Sequence, residues 1–105
     1  MVEQRKAKRF ELTLPIELIQ AGNAGVPTAG QTKNMSSAGV LFISPEEVDI
    51  GQPIEYLITF HPGTKGEIRL RCMGKVVRLE RIPVDGNGSA EIGIAATLER
   101  YEFIR

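Results

Sequence analysis

The chain has 105 residues, is 42% hydrophobic and 25% charged, and so has the composition of one ordinary folded domain with no room for a second core. Thirteen Lys and Arg balance thirteen Asp and Glu, which removes any whole-molecule pull toward nucleic acid or an acidic membrane surface. One cysteine and one histidine exclude an intrachain disulfide and a zinc site with the usual ligand count, and no run of roughly twenty apolar residues exists to span a bilayer. A lone cysteine fits a reducing, cytoplasmic setting, and no apolar run follows the charged N-terminus as a secretory signal would require.

Residues 1–9 are polar, lack an apolar period and hold Arg5, Lys6, Lys8 and Arg9 within five positions. They are expected to form a flexible basic arm, with residues 10–105 as a single β-domain. Phe10, Leu12, Leu14, Ile16 and Leu18 alternate with mostly polar residues, the period of a half-buried strand. Pro15 within it points to an edge or a bulge, because proline donates nothing to a ladder. Ala21 to Pro27 is turn chemistry, and Thr28 to Lys33 a short second strand. A polar turn, Asn34 to Gly39, leads into Val40 to Ile43, apolar on both faces. Ser44-Pro45-Glu46-Glu47 suits a loop or brief helical turn.

Ile54 to Phe60 reads as a strand, and His61 to Gly66 as a hairpin loop. Glu67 to Leu79 is a long strand with Ile68, Leu70, Cys72 and Val76 on one face, where Gly74 marks a bulge or a close backbone approach. Val84 to Ser89 contains two turn dipeptides, Asp85-Gly86 and Asn87-Gly88. Ile92, Ile94, Ala96 and Leu98 alternate in the last strand, and Glu99 to Arg105 has room for at most a short helix. Six short strands separated by turn signals indicate an all-β barrel or sandwich.

Catalysis finds little support. His61 precedes Pro62-Gly63 in an exposed turn, and Cys72 sits on an apolar strand face, unlike a reactive thiol. Gly63-Thr64-Lys65-Gly66 lacks the spacing of a phosphate loop. Glu46, Glu47 and Asp49 read as an acidic surface loop rather than a metal site. No metal and no cofactor are expected.

The arm differs in kind. Two guanidiniums four residues apart can converge on one anion, and arginine offers a planar fork that grips phosphate, matches guanine O6 and N7, and stacks on a purine. The alternative is a solvated basic tail. The turn from Asn34 to Gly39 can be just a well-made turn, capped by its own side chains with Gly39 at positive φ. The same side chains turned outward offer donors and acceptors to a base edge.

Arg5-x-x-x-Arg9 followed by Asn34-x-Ser36-x-x-Gly39 resembles the RxxxR and [D/N]xSxxG pair of PilZ domains, receptors for bacterial cyclic di-GMP. The resemblance extends through Val40 to Ile43, Ile50-Gly51-Gln52-Pro53-Ile54, Val76-Val77-Arg78 and Ile92 to Ala96, covering residues 3–105. It implies a six-stranded antiparallel barrel. It also implies that Arg5 and Arg9 grip guanine and phosphate, that Asn34 and Ser36 read a guanine edge, and that Gly39 lets the turn approach the ligand. Lys8, Ser37, Lys75 and Arg78 are secondary candidates. The expected partners are cyclic di-GMP and a protein partner or fused output domain. Two rivals are a PilZ-like interaction domain without nucleotide and a nucleic-acid-binding barrel. The second is disfavoured because Phe10, Phe42, Tyr56 and Phe60 fit core positions rather than stacking platforms.

Overall fold

The computed structural model describes residues 9–21, 24–45, 47–61, 66–83 and 90–104. Seven strands occur: β1 (Pro15–Ala21), β2 (Ala24–Met35), β3 (Gly39–Ile43), β4 (Pro53–Phe60), β5 (Ile68–Pro83), β6 (Ala90–Thr97) and β7 (Arg100–Ile104). All pairings are antiparallel. They run β1-β2-β3-β6-β5-β4, and β4 returns to β1, closing a six-stranded barrel.

Closure follows from alternation. Ile16 and Leu18 of β1, Ile54, Tyr56 and Ile58 of β4, Leu70, Cys72 and Val76 of β5, and Ile94 and Ala96 of β6 all point inward and are buried. Phe42 and Tyr56 stack at the centre, ring centroids 5.9 Å apart. The Tyr56 hydroxyl donates to the Thr97 carbonyl at 2.9 Å, so the one polar atom of this buried aromatic is satisfied. Closing the ring pairs every one of the six barrel strands on both edges.

Several expectations change. β1 begins at Pro15 rather than Phe10, because the Thr32 side chain intervenes. Its hydroxyl accepts from Leu14 N at 2.8 Å and lies against the Leu12 carbonyl. Residues 11–14 therefore leave the regular ladder, with the Leu14 carbonyl still accepting from Thr32 N at 2.9 Å, while Phe10 and Met35 exchange both backbone hydrogen bonds at 2.9 Å. Pro15 does stand at a strand's first position, but β1 is internal, between β2 and β4. β2 is longer than expected and takes in Ala24 to Pro27, since β1 offers partners as far as Ala21. Gly74 marks a close approach: a Cβ there would lie 1.9 Å from the Thr97 carbonyl oxygen. The bulge of β5 falls at Val77 instead.

The C-terminus adds a strand that the sequence did not announce. Arg100 to Ile104 forms a strand, not a helix. β5 is 16 residues long, and β6 covers only its second half on that side, Val76 to Pro83. The unpaired edge from Arg69 to Met73 recruits β7, satisfying backbone groups that a helix would leave open. Phe10 is also corrected: it is 53% exposed rather than in the core, because its single bridge holds it at the rim. Ile68 is likewise largely exposed, at the start of β5.

Candidate functional site

β2 and β3 are joined by a tight turn. Ser36 N donates to the Gly39 carbonyl at 2.9 Å, and the Ser36 hydroxyl accepts from Ala38 N at 3.1 Å. Ser37 is exposed at its tip. Gly39 serves a different purpose from the one expected. It does not adopt positive φ, which among the described glycines occurs only at Gly51 and Gly66. A Cβ at Gly39 would instead meet the Ala96 carbonyl at 2.6 Å. Glycine thus lets the turn lie flat against β6.

Arg9 reaches this turn. Its Nε donates to Asn34 Oδ1 at 2.9 Å, and an Nη donates to the Ser36 hydroxyl at 3.4 Å. Two of the five guanidinium N–H groups are used, leaving three for an anion or a base edge. The arginine is brought there by the Phe10–Met35 bridge one residue away and, further along, by the Thr32 clamp. Arg5 and Lys8 lie outside the described residues.

Strand register extends the site. Asn34 stands opposite Leu41, Leu41 opposite Ala95, and Ala95 opposite Arg78. Directly opposed residues share a face, so these four form one row across the outer surface of β2, β3, β6 and β5. The two ends are three strand spacings apart, roughly 14 Å. Leu41 and Ala95, only 9% and 4% exposed, separate a polar group at one end from a guanidinium at the other. Arg78 meanwhile donates from Nε to Glu80 at 2.8 Å, an exposed pair that an incoming anion can replace at small cost. Lys75 sits beside Thr97, its N–H donating to the Thr97 hydroxyl at 3.0 Å, and Thr97 is the register partner of Gly39. The sequence reading missed Leu41, Ala95 and Thr32. Only the period of two in β6 hinted that Ala95 faces outward.

A surface hollow of about 730 Å³ lies elsewhere and is lined by Glu47, Asp49, Glu80 and Glu91 against Arg81. That charge repels an anion. Cys72 is fully buried and desolvation pushes its thiol up to about 12, so it is no nucleophile. The described residues contain no cluster of three or more His, Cys, Asp or Glu able to hold a metal. None of their helices is long and apolar enough to cross a membrane.

The family model of the PilZ domain matches residues 3–100. The chain belongs to the PilZ domain family. PilZ domains are, as a family, non-catalytic receptors for cyclic di-GMP. Among solved structures, the Bacillus subtilis inhibitor of motility (MotI/DgrA) superposes with a TM-score of 0.71 at 13% identity, over 96% of this chain. At that identity the likeness shows the PilZ barrel fold alone. This chain spans 44% of that protein's length. No curated protein matches the chain.

Proposed function

We propose that this PilZ domain is a cyclic di-GMP receptor, with residues 1–9 closing as an arm over the β2–β3 turn. The contact of Arg9 with Asn34 and Ser36 carries the reading, because it brings together residues of the family's two binding motifs. Arg5 and Arg9 grip phosphate and guanine by charge-assisted hydrogen bonds. Asn34 and Ser36 contribute a base edge, and Gly39 keeps the turn low. Arg78 at the far end of the row, with Lys75, Lys8 and Ser37 nearby in register or sequence, adds secondary contacts.

Binding orders the arm, and the ordered surface is what an output partner, whether a separate protein or a fused domain, recognises. The outputs that suit such a receptor are motility, exopolysaccharide synthesis and biofilm control in the bacterial cytoplasm. Calorimetric titration with cyclic di-GMP, GTP and a short RNA tests the reading. Saturable binding of cyclic di-GMP alone supports it. Binding of RNA alone favours a nucleic-acid barrel, and no binding at all leaves a protein-interaction domain.

A further inference from the structure

Among the described residues, β7 is hydrogen bonded along one edge only, pairing with β5 and with no other strand. Its second row of N–H and C=O groups is a template for another strand. Tyr101 and Phe103 lie opposite Cys72 and Leu70, and therefore share the face that β5 turns toward the core. They are nonetheless 61% and 65% exposed, because β7 pairs outside the closed ring of six strands. Their rings meet edge to face, centroids 6.2 Å apart. Together with Phe10 they border a hollow of about 310 Å³.

We propose that β7 is the contact of a homodimer, pairing antiparallel with β7 of a second copy across a twofold axis centred on Tyr101. The charge pattern selects both occupant and register. Arg100 and Glu102 flank Tyr101 and lie on the opposite face, where Glu102 is held by Arg71 at 3.4 Å. An axis at Tyr101 sets Arg100 against the partner's Glu102, and by symmetry Glu102 against the partner's Arg100. Moving the axis one residue either way places Glu102 against its own copy or Arg100 against its own copy. Like charges directly opposed are destabilising, so only the Tyr101-centred pairing of these three is free of repulsion. The segment is self-complementary, as an isologous interface requires. In that register Tyr101 meets its counterpart and the two apolar hollows face one dimer axis. The contact is short, so the dimer is weak. It stands apart from the nucleotide reading and survives if that reading fails.

Sedimentation equilibrium of the whole chain, between about 10 μM and about 1 mM, covers the affinities such a small contact supports. The expected result is a reversible monomer–dimer equilibrium. Arg100→Glu and Glu102→Arg each create like-charge pairs, and either alone weakens association at least tenfold. An equimolar mixture of the two variants restores opposite charges at both pairs and associates again. Tyr101→Lys, at the axis itself, weakens association without a compensating partner. A parent chain that stays monomeric throughout, single variants that dimerise like the parent, or a mixture that stays monomeric would each overturn the proposal.

Discussion

Asn34 and Arg78 stand at opposite ends of one cross-strand row, linked through Leu41 and Ala95 on the outer face of the barrel. Forty-four positions of sequence separate them, and three hydrogen-bonded strand pairs bring them into register. The row carries a neutral amide at one end and a cation at the other, with two buried apolar side chains between them.

Arg9→Ala is expected to weaken cyclic di-GMP binding tenfold or more, since a hydrogen bond to a charged group contributes about 1.5–3 kcal/mol. Arg9→Lys should lose nearly as much, because an ammonium cannot hold Asn34 and Ser36 while also gripping a ligand. Calorimetry reads both. Parent-like affinity in the two variants would remove Arg9 from the site.

Arg78→Ala should lower affinity less than Arg9→Ala, by a few-fold, and should reduce the salt dependence of binding. Its present partner, Glu80, is exposed and only weakly held. Titrations at two ionic strengths separate this contribution from that of Arg9. No change at either salt would confine the ligand to the arm and turn.

Ser36→Ala and Asn34→Ala should blunt the preference for cyclic di-GMP over cyclic di-AMP. Ser36 already accepts hydrogen bonds from Ala38 and Arg9, so only its own O–H is left for a base. Ser36→Ala should therefore also loosen the turn, visible as a lower melting temperature, whereas Asn34→Ala should leave stability nearly intact. Equal weakening toward both nucleotides would make the turn pure scaffold.

Thr32→Val keeps the shape of a fully buried residue but removes the hydroxyl shared by Leu12 and Leu14. The unsatisfied backbone groups should cost about 1–3 kcal/mol in urea denaturation. Amide exchange at Leu14 should accelerate, and nucleotide affinity should fall because the segment leading to Arg9 is no longer pinned. Thr32→Ser should restore both. Unchanged exchange at Leu14 would show that the Phe10–Met35 bridge suffices.

Burial raises the Cys72 thiol from 9.0 to about 12 and raises Tyr56 as well. The unfolded chain therefore releases these protons at lower pH than the folded one. Their contribution to stability is complete below pH 9 and is lost as pH climbs toward 12. Denaturation midpoints should fall across that window, and iodoacetamide should label Cys72 only in urea. Rapid labelling of the folded protein at pH 8 would contradict the burial.

The alternating segments of β4 and β6 were readable because one face of each is apolar and the other is not, and Tyr56 and Ile94 are buried as the pattern demands. The encounter of Arg9 with Asn34 and Ser36 was readable from two motifs. β3 hid its outer face, since Leu41 is as apolar as Val40 and Phe42 and alternation carries no information there. Arg78 could not be aligned with Asn34 because the bulge at Val77 shifts its strand by one residue. Residues 100–104 have no decisive pattern of their own. The free edge of β5, 27 to 35 positions earlier in the chain, decided their conformation, and such tertiary selection leaves no local trace. Of residues 1–9, the arm expected from the sequence, only Arg9 is described.

β5 reaches β4 along one side and both β6 and β7 along the other. On the ribosome, β1 to β4 can gather as two hairpins' worth of chain, but β3 has no second neighbour until β6 has emerged, the last of the six barrel strands to do so. Most of the ring must wait in an incomplete sheet for its last two members. Vectorial synthesis therefore gives this barrel no early folded state. The native core arises in one late step, with β5 as the seam on which both halves close.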